Sequence, residues 1–434
     1  MRTILERHRI LCVLAILLFA GAATAREDDD DDGGPSRVFS AWTISIGARM
    51  GPAFGGANFA PDLTGKTVRM IVRPTISGKA LRVKIENTQA ATPVTFLRAF
   101  IGELGAGAAL VPGTNRQLTF GGKAGLTLAA GGQAGDSAFS DLVSFRVDAF
   151  TRLAVSLEVA TASEVSGHQL GLATNYMATG AVGSNTSSAG FTPVPANAGN
   201  FPVYWVAAVD VVSSHASGTI VTFGDSITDG RCSTQDSAGV IHPDQYNRWP
   251  DVLAARVHAL MGKRAPAVAN EGIAGNRIVS GGNGPPALTR VGRDVLDRAG
   301  LRWVVFFEGT NDITGGASAA TVIAGTQAII DAVHAKGIPI IGVSVVPRGR
   351  AATLGGWNSN FEAQRLAVNH WMHTEANFDA LIEFGALLQG PIIADTPANV
   401  AESLHPDFNC GDFTHPNTAG YQAMGGFIDL ELFK

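Results

Sequence analysis

The sequence predicts two regions of different fold: an antiparallel β-sandwich over residues 37–212, and a three-layer α/β/α domain with a parallel sheet over residues 213–434. In the first region, short runs of β-branched and aromatic residues alternate with Gly-, Asn- and Ser-rich turns, and no convincing helical periodicity occurs. In the second, apolar strands alternate with amphipathic helices, which is typical of a parallel sheet covered on both faces. At 434 residues, 46% of them hydrophobic and 16% charged, the chain is long enough for two globular domains.

The N-terminus predicts a signal peptide over residues 1–25. Three arginines precede an apolar run from Ile10 to Ala20, and Ala23-Thr24-Ala25 then has the A-x-A pattern of a cleavage site. The run is shorter than the ~20 residues that span a bilayer, although an uncleaved anchor is the alternative. No later stretch is long and charge-free enough for a membrane helix. We therefore expect a secreted or periplasmic protein with no integral membrane segment after cleavage.

The charge pattern argues against a nucleic-acid partner. Residues 1–25 hold three of the 32 basic residues and one of the 37 acidic ones, so removing them leaves 29 against 36, a net charge of −7. Nucleic-acid binding depends on clustered Lys and Arg, and no such cluster is present. Residues 26–36 form an acidic, Gly-containing linker, which we interpret as a solvated tail. Calcium binding by the acidic block Glu27–Asp32 is the alternative, but this block lacks the glycine and spaced ligands of a built loop.

In the first region, strands are predicted where β-branched or aromatic residues cluster or alternate with period two. They are Val68–Arg73, Leu81–Ile85, Val94–Phe100, Val143–Val147, Leu153–Val159 and Val203–Val212. Trp42, Tyr204 and Trp205 are candidates for stacking on sugars, although burial in the sandwich is the favoured interpretation.

In the second region, the pattern predicts the strands Thr219–Phe223, Ala267–Asn270, Trp303–Glu308 and Ile340–Val345. The predicted helices are Trp249–Leu260, Ala319–Lys336 and Glu362–Glu375. Ligands of such sheets bind outside the carboxyl ends of the strands, so the functional site is expected there.

Four motifs carry the chemistry of the second region. Three directly follow predicted strands: Gly224-Asp225-Ser226, the segment Asn270–Asn276 and Gly309-Thr310-Asn311-Asp312. The fourth is Asp412-Phe413-Thr414-His415-Pro416-Asn417, near the C-terminus. A serine hydroxyl becomes a useful nucleophile when a base takes its proton and a third group orients that base. The fourth motif offers such a base and acid three residues apart.

In this order the four motifs resemble those of the SGNH hydrolase superfamily, also called GDSL esterases/lipases, over about residues 217–434. The resemblance implies a flavodoxin-like fold with Ser226 as nucleophile and His415 as base, oriented by Asp412. It also implies an oxyanion hole of Ser226, Gly275 and Asn311, in which Gly275 donates a backbone N–H and Asn311 a side-chain N–H. The sequence departs from the family name at Ile227, where GDSL has leucine.

Alternatives exist for three of these roles. Ser137 belongs to a second Gly-Asp-Ser, His405 follows Glu402 with the same acid–His–Pro spacing as His415, and Gly272 could replace Gly275 as donor. The sequence contains no G-x-S-x-G elbow, no H-E-x-x-H and no Cys/His cluster, so we expect no cofactor and no metal.

The cysteines add a structural prediction. Cys12 leaves with the signal peptide, while Cys232 lies six residues after Ser226 and Cys410 five before His415. If Ser226 and His415 meet, the loops beside them converge, so we predict a disulfide between Cys232 and Cys410. Two isolated buried cysteines are the alternative.

Together these features predict a secreted serine esterase that hydrolyses carboxylic esters through a Ser-His-Asp acyl-enzyme mechanism. A β-sandwich ahead of an SGNH domain resembles the layout of some carbohydrate esterases, and this resemblance implies short-chain acyl or acetyl groups and a small-molecule or polysaccharide ester as partner. The alternatives are a lysophospholipase- or arylesterase-type lipase and a non-catalytic surface-binding protein on an SGNH scaffold.

Overall fold

The computed structural model describes residues 35–196, 199–349, 356–396 and 399–434. The predicted signal peptide and all but the last two residues of the predicted linker lie outside these residues. In the part that is described, no helix combines the length and apolar character needed to cross a membrane.

The first region consists of short strands joined by turns, as predicted. The strands are β1 (Arg37–Thr43), β2 (Ala48–Met50), β3 (Lys66–Val72), β4 (Gly78–Glu86), β5 (Val94–Glu103), β6 (Arg116–Leu118), β7 (Leu126–Leu128), β8 (Ser137–Phe139), β9 (Val143–Val147), β10 (Leu153–Ala162), β11 (Val165–His168), β12 (Tyr176–Thr179), β13 (Thr192–Pro193), β14 (Val203–Tyr204) and β15 (Val206–Ser213).

Their pairing is antiparallel. One sheet has the strand order β1-β15-β4-β8, and β9 also pairs with β4. A second sheet has the order β13-β12-β3-β10-β5-β6, and β7 also pairs with β5. A third has the order β14-β11-β2. Alternate side chains of β10, among them Leu153, Val155 and Leu157, enter the main hydrophobic core, while Ala154 belongs to a separate small cluster. This period of two is what an extended strand imposes. The antiparallel sheets are thus confirmed, and their packing as a β-sandwich stays a prediction.

One predicted strand of this region is wrong in its continuity. Val203–Val212 is interrupted at Trp205, whose φ of 58° lies in the left-handed region that non-glycine residues seldom adopt. The chain therefore changes sheets at this residue: β14 pairs with β11, and β15 pairs with β1 and β4. Tyr204 and Trp205 are fully buried, which agrees with the favoured interpretation of these aromatics, whereas Trp42 is only partly buried.

The second region alternates strands and helices. Its strands are β16 (Thr219–Gly224), β17 (Ala267–Gly272), β18 (Leu301–Phe307), β19 (Ile340–Val343), β20 (Ala380–Ile382), β21 (Gln389–Thr396) and β22 (Asn399–Leu404). Its α-helices are α1 (Ser226–Asp229), α2 (Trp249–Met261), α3 (Ala287–Val291), α4 (Thr310–Thr314), α5 (Ala319–His334), α6 (Ser359–Thr374), α7 (Phe384–Leu387) and α8 (Thr418–Phe427). Single turns of 3₁₀ helix cover Gly56–Asn58, Gly262–Arg264, Pro406–Phe408 and Leu430–Phe433, and a π-turn covers Gly292–Leu296.

The parallel sheet has the strand order β17-β16-β18-β19-β20. Counted along this region, that is the order 2-1-3-4-5 of flavodoxin-like folds. Alternate residues of the strands face two separate cores, so that Val305 packs with α2 and α8 while Val304 packs with α3, α5 and α6. The sheet is therefore covered by helices on both faces, as the all-apolar strands predict.

The two regions meet along β17, an edge strand of the parallel sheet. The backbone N–H of Val268 donates to Thr75 Oγ1 at 2.9 Å, and Thr43 Oγ1 donates to the carbonyl of Asn270 at 3.3 Å. Ala267 also belongs to the main core of the first region. All described residues form one compact unit, and the domain boundary at residues 212 and 213 stays a prediction.

Candidate active site

Ser226 lies at the carboxyl end of β16, which pairs with β17 and β18, on the turn that leads into α1. Asp225 caps this short helix by accepting a hydrogen bond from the N–H of Ile227 at 2.9 Å. Gly224 has no room for a side chain, because a Cβ there would lie 2.6 Å from the carbonyl oxygen of Phe307. Gly230, with φ of 96°, ends the helix in the left-handed conformation that glycine tolerates. The turn therefore holds Ser226 in a fixed place, with only 6% of its surface exposed.

The side chains of Ser226, His415 and Asp412 form a continuous hydrogen-bonded chain. Ser226 Oγ lies 2.7 Å from His415 Nε2, and His415 Nδ1 lies 2.6 Å from Asp412 Oδ2. Partial burial acts to raise the pKa of Asp412, but the hydrogen bond and charge of His415 outweigh it and lower that pKa below its usual value. The ionised carboxylate can only accept, so His415 Nδ1 carries a hydrogen, and in the neutral imidazole Nε2 is free to accept the serine proton.

Local turn chemistry places His415 opposite Ser226. Asp412 Oδ1 accepts the N–H groups of Thr414 and His415 at 2.9 and 2.8 Å, which closes the turn that carries both side chains. Asn417 begins α8 as its N-cap, accepting the N–H of Gly420 at 2.9 Å. The predicted disulfide between Cys232 and Cys410 is present, with their Cα atoms 6.2 Å apart, and it joins the loop after Ser226 to the loop before His415.

The residues predicted as oxyanion donors lie just after the carboxyl ends of β16, β17 and β18. Asn311 is the second residue of α4, which follows β18. Its Nδ2 donates to the carbonyl of Asn276 at 3.0 Å and lies 3.5 Å from Asp225 Oδ2. Gly275 follows β17 with φ of 78°, and a Cβ at this position would lie 2.6 Å from Asn283 Nδ2. Ser226 is the first residue of α1, where a backbone N–H has no carbonyl partner within its own helix. Backbone N–H groups and a side-chain amide of this kind can donate hydrogen bonds to a negative oxygen near Ser226.

The three alternative residues lie elsewhere or are already engaged. Ser137 lies in β8, in register with Glu86 of β4 in an antiparallel sheet. The ring of His405 accepts the N–H of Asp407 at 3.2 Å and packs against Phe408, at the end of the β21–β22 hairpin. The N–H of Gly272 donates to Asn270 Oδ1 at 2.9 Å. Of the two candidate bases, His415 is the one that contacts Ser226.

Buried charged groups lie beneath the site, and the motifs did not predict them. Arg290 is fully buried; it donates to Glu308 at 2.9 Å, to the carbonyl of Gly224 at 3.0 Å and to Asn276 Oδ1 at 2.9 Å. Burial raises the pKa of Asp225 to about 7 and that of Glu308 to about 8, although Arg290 acts to lower the second value. Arg290 therefore connects the strand ends and the loop on which the candidate site is built.

One group of potential metal ligands lies at the site. Cys232, Asp412 and His415 each have one potential ligand atom, and these three atoms lie within 4.8 Å of one another. The sulfur of Cys232 is bonded to Cys410, and the metal-binding form of cysteine is the free thiolate. These side chains therefore do not form a ligand set while the disulfide is intact.

The sequence matches a family model described as the GDSL-like lipase/acylhydrolase family over residues 222–423. Among solved structures, the chain is similar to a carbohydrate acetylesterase family member from Sinorhizobium meliloti, with 19% identity and a TM-score of 0.35 over 50% of this chain and 96% of that chain. It is also similar to a member of the lipolytic protein G-D-S-L family from Veillonella parvula, with 18% identity and a TM-score of 0.35 over 50% of this chain and 97% of that chain.

A GDSL-like lipase from Bacteroides thetaiotaomicron is similar at 18% identity and a TM-score of 0.33, over 49% of this chain and 85% of that chain. No curated protein matches the sequence. The family match covers the strands and loops that carry Ser226, Gly275, Asn311 and His415. Residues 222–423 therefore form a domain of the GDSL-like lipase/acylhydrolase family.

Proposed function

We propose that this protein is a serine esterase in which Ser226 is the nucleophile, His415 the general base and Asp412 the residue that orients the base. The observation that carries the proposal is the contact of 2.7 Å between Ser226 Oγ and His415 Nε2, with the other ring nitrogen on Asp412. This geometry gives the hydroxyl proton a destination at the moment when the oxygen attacks a carbonyl carbon.

In the proposed reaction, Ser226 Oγ bonds to the ester carbonyl carbon while its proton moves to His415 Nε2. The carbonyl oxygen becomes negative and accepts hydrogen bonds from the backbone N–H groups of Ser226 and Gly275 and from Asn311 Nδ2. His415 then returns the proton to the leaving alcohol, which leaves an acyl group on Ser226. A water molecule, deprotonated by the same imidazole, attacks this acyl-enzyme and releases the acid.

Covalent labelling by a fluorophosphonate tests the nucleophile, and the chain supplies its own matched control. We expect the wild-type protein and Ser137→Ala to be labelled, whereas Ser226→Ala is not, since Ser137 shares the tripeptide Gly-Asp-Ser but lies in β8 without a histidine partner in the described structure. Intact-protein mass spectrometry reports the adduct. Folded wild-type protein that stays unlabelled would contradict the proposal and favour the non-catalytic surface-binding alternative.

We further propose that the substrate is a short-chain acyl or acetyl ester of a polar alcohol such as a carbohydrate. A groove of about 320 Å³ lies beside Ala274, the residue before Gly275, and residues of both regions line it. Its polar side chains include Arg49, Asn58, Gln169 and Asn283. Amide and guanidinium groups of this kind suit hydroxyl-rich ligands more than acyl chains.

A substrate panel tests this assignment. We expect kcat/KM to be higher on acetylated xylo-oligosaccharides than on lysophospholipid, and to fall as the acyl chain of p-nitrophenyl esters lengthens. Initial-rate assays on the three substrate types measure both trends. Rates that rise with acyl length would contradict the polar-substrate proposal and support the lipase-type alternative, while leaving the role of Ser226 intact.

We also propose that the protein is exported, with residues 37–212 forming a β-sandwich outside the hydrolase domain. The disulfide supports export, because disulfides persist in oxidising compartments. The shared core of the strands β4, β15, β3, β10 and β5 supports the sandwich. A mature N-terminus at Arg26 in protein recovered from outside the cytoplasm is the expected result for export.

A further inference from the structure

Asp229, three residues after Ser226, is a buried acid that the proposed reaction does not use. It ends α1, and only 3% of its surface is exposed. Its Oδ2 accepts the backbone N–H of Ala274 at 2.8 Å, and its Oδ1 lies 2.9 Å from His168 Nε2. One carboxylate thus connects the nucleophile helix, the loop that carries Gly275 and a strand of the antiparallel region.

The hydrogen-bond partners of His168 constrain where the hydrogens of its ring lie. His168, at the end of β11, is 2% exposed, and its Nδ1 lies 2.9 Å from the carbonyl oxygen of Ser45. A carbonyl only accepts, so Nδ1 carries a hydrogen. Nε2 then faces a carboxylate, and a hydrogen bond between them needs one further proton, on either the ring or the acid. In both forms the pair is neutral overall and keeps Asp229 in place.

The surroundings leave Ala274 little freedom once Asp229 is fixed. A Cβ on Gly272 would lie 2.2 Å from the backbone nitrogen of Asp229, so β17 ends in direct contact with α1. Arg248 Nε donates to the carbonyl of Asp229 at 2.6 Å, while its Nη2 donates to the carbonyls of Leu170 and Gly171 at 2.9 Å each. Arg248 therefore forms a second connection, besides the His168–Asp229 contact, between the end of α1 and the segment just after His168.

Ser45, in the connection between β1 and β2, holds the opposite side of the same loop. Its hydroxyl donates to Glu271 Oε2 at 2.6 Å and accepts from Arg290 Nη1 at 3.1 Å. Arg290 in turn donates through Nε to Asn276 Oδ1 at 2.9 Å. Residues 271–276, which contain Gly275, are thus fixed at both ends through Ser45 and Arg290, and in the middle through His168 and Asp229.

We propose that His168 and Asp229 are positioning residues of the esterase, and that the antiparallel region completes the oxyanion site through them. This inference rests on the proposed function. Asp229, which is held by His168, accepts the N–H of Ala274 and thereby sets the direction of the next amide, that of Gly275. An oxyanion donor acts only when it is aimed at the developing charge, and a misplacement of about 1 Å can cost about 100-fold in rate. The hydrolase domain therefore depends on the antiparallel region for its transition-state geometry.

Two pairs of variants test the inference in the full-length protein. Asp229→Ala and His168→Ala are expected to lower kcat by about 10- to 100-fold with KM changed less than about twofold. Asp229→Asn is expected to stay within about threefold of wild type, because its Oδ1 can accept from Ala274 while its Nδ2 donates to a neutral His168. His334→Ala is the matched control: His334 lies 2.9 Å from Asp379 Oδ2 in an exposed His–Asp pair outside the candidate site.

The readouts separate positioning from loss of fold. kcat is calculated per active site titrated with a fluorophosphonate, using p-nitrophenyl acetate as substrate. The Ki of a trifluoromethyl ketone, whose serine adduct carries an oxyanion, is expected to rise by the same factor as kcat/KM falls. Thermal unfolding of each variant identifies any alanine variant that is unstable. In that case the isosteric Asp229→Asn keeps the test informative.

Each outcome bears on the inference. A titrated Asp229→Ala with kcat within twofold of wild type, or an Asp229→Asn as impaired as Asp229→Ala, would overturn it. The expected split between kcat and KM, with recovery in Asp229→Asn and a normal His334→Ala, would support it. If wild-type protein is neither labelled nor active, the proposed function itself fails, and this inference with it.

Discussion

Replacing His415 with alanine is expected to lower kcat by at least about 10⁴-fold, because the proton of Ser226 then loses its acceptor. In the structure, Nε2 of this ring is 2.7 Å from Ser226 Oγ, and no other histidine of the described residues contacts that oxygen. Binding and the oxyanion donors would remain, so KM should change much less than kcat. Initial rates on p-nitrophenyl acetate, with thermal unfolding of each variant to verify that the protein is folded, measure the effect.

His405→Ala is the matched control for this prediction. Both histidines precede a proline and follow an acid by three residues, and they lie ten residues apart. The ring of His405 instead packs at the end of the β21–β22 hairpin and accepts the N–H of Asp407. We expect His405→Ala to keep kcat within about threefold of wild type. A larger loss in His405→Ala than in His415→Ala would reverse the assignment of the base.

Replacing Arg290 with methionine is expected to lower the free energy of unfolding by about 3–5 kcal/mol, the range found when one partner of a buried ion pair is removed. The guanidinium contacts Glu308 at 2.9 Å and Asp294 at 3.4 Å, and both pairs are excluded from solvent. It also donates to the carbonyls of Gly224 and Glu271, which would be left buried without their donor. Each such unsatisfied group costs about 1–3 kcal/mol.

Urea unfolding followed by tryptophan fluorescence measures this loss, with the exposed Arg264→Met as control. The control removes the same charge from the surface and is expected to change the free energy of unfolding by less than about 0.5 kcal/mol. Adding Glu308→Gln to Arg290→Met should recover part of the loss, because the second change removes a buried acid left without its partner. Equal stability of the two arginine variants would show that Arg290 does not support the fold.

The resemblance of the four ordered motifs to those of SGNH hydrolases predicted Ser226, Asp412 and His415 as one set, and their side chains are hydrogen-bonded to one another in the structure. A strand running into Gly-Asp-Ser, and an acid three residues before a histidine, are features of a few neighbouring residues. The same locality explains the helices: the observed bounds Trp249–Met261, Ala319–His334 and Ser359–Thr374 differ from the predicted ones by at most three residues at either end. The disulfide could be predicted because Cys232 and Cys410 flank residues already expected to meet.

Other features depend on partners that lie far away along the chain. The break at Trp205 follows from its place between two sheets, and a run of apolar residues from Val203 to Val212 contains no sign of it. The β21–β22 hairpin, which holds the alternative base His405 at its end, was likewise not predicted. In both cases the conformation is decided by which distant strand pairs with the segment, and that choice is not a property of the segment itself.

The amino-acid sequence by itself determined the class of the second region, the order of its motifs and the identity of the candidate nucleophile, base and acid. The tertiary structure alone decided that Asp229 lies against His168, 61 positions earlier, and that Arg290 reaches Ser45, 245 positions earlier. The physical reason is that buried polar groups are chosen for their mutual hydrogen bonds, and those partners become neighbours only after long loops have closed around a shared core.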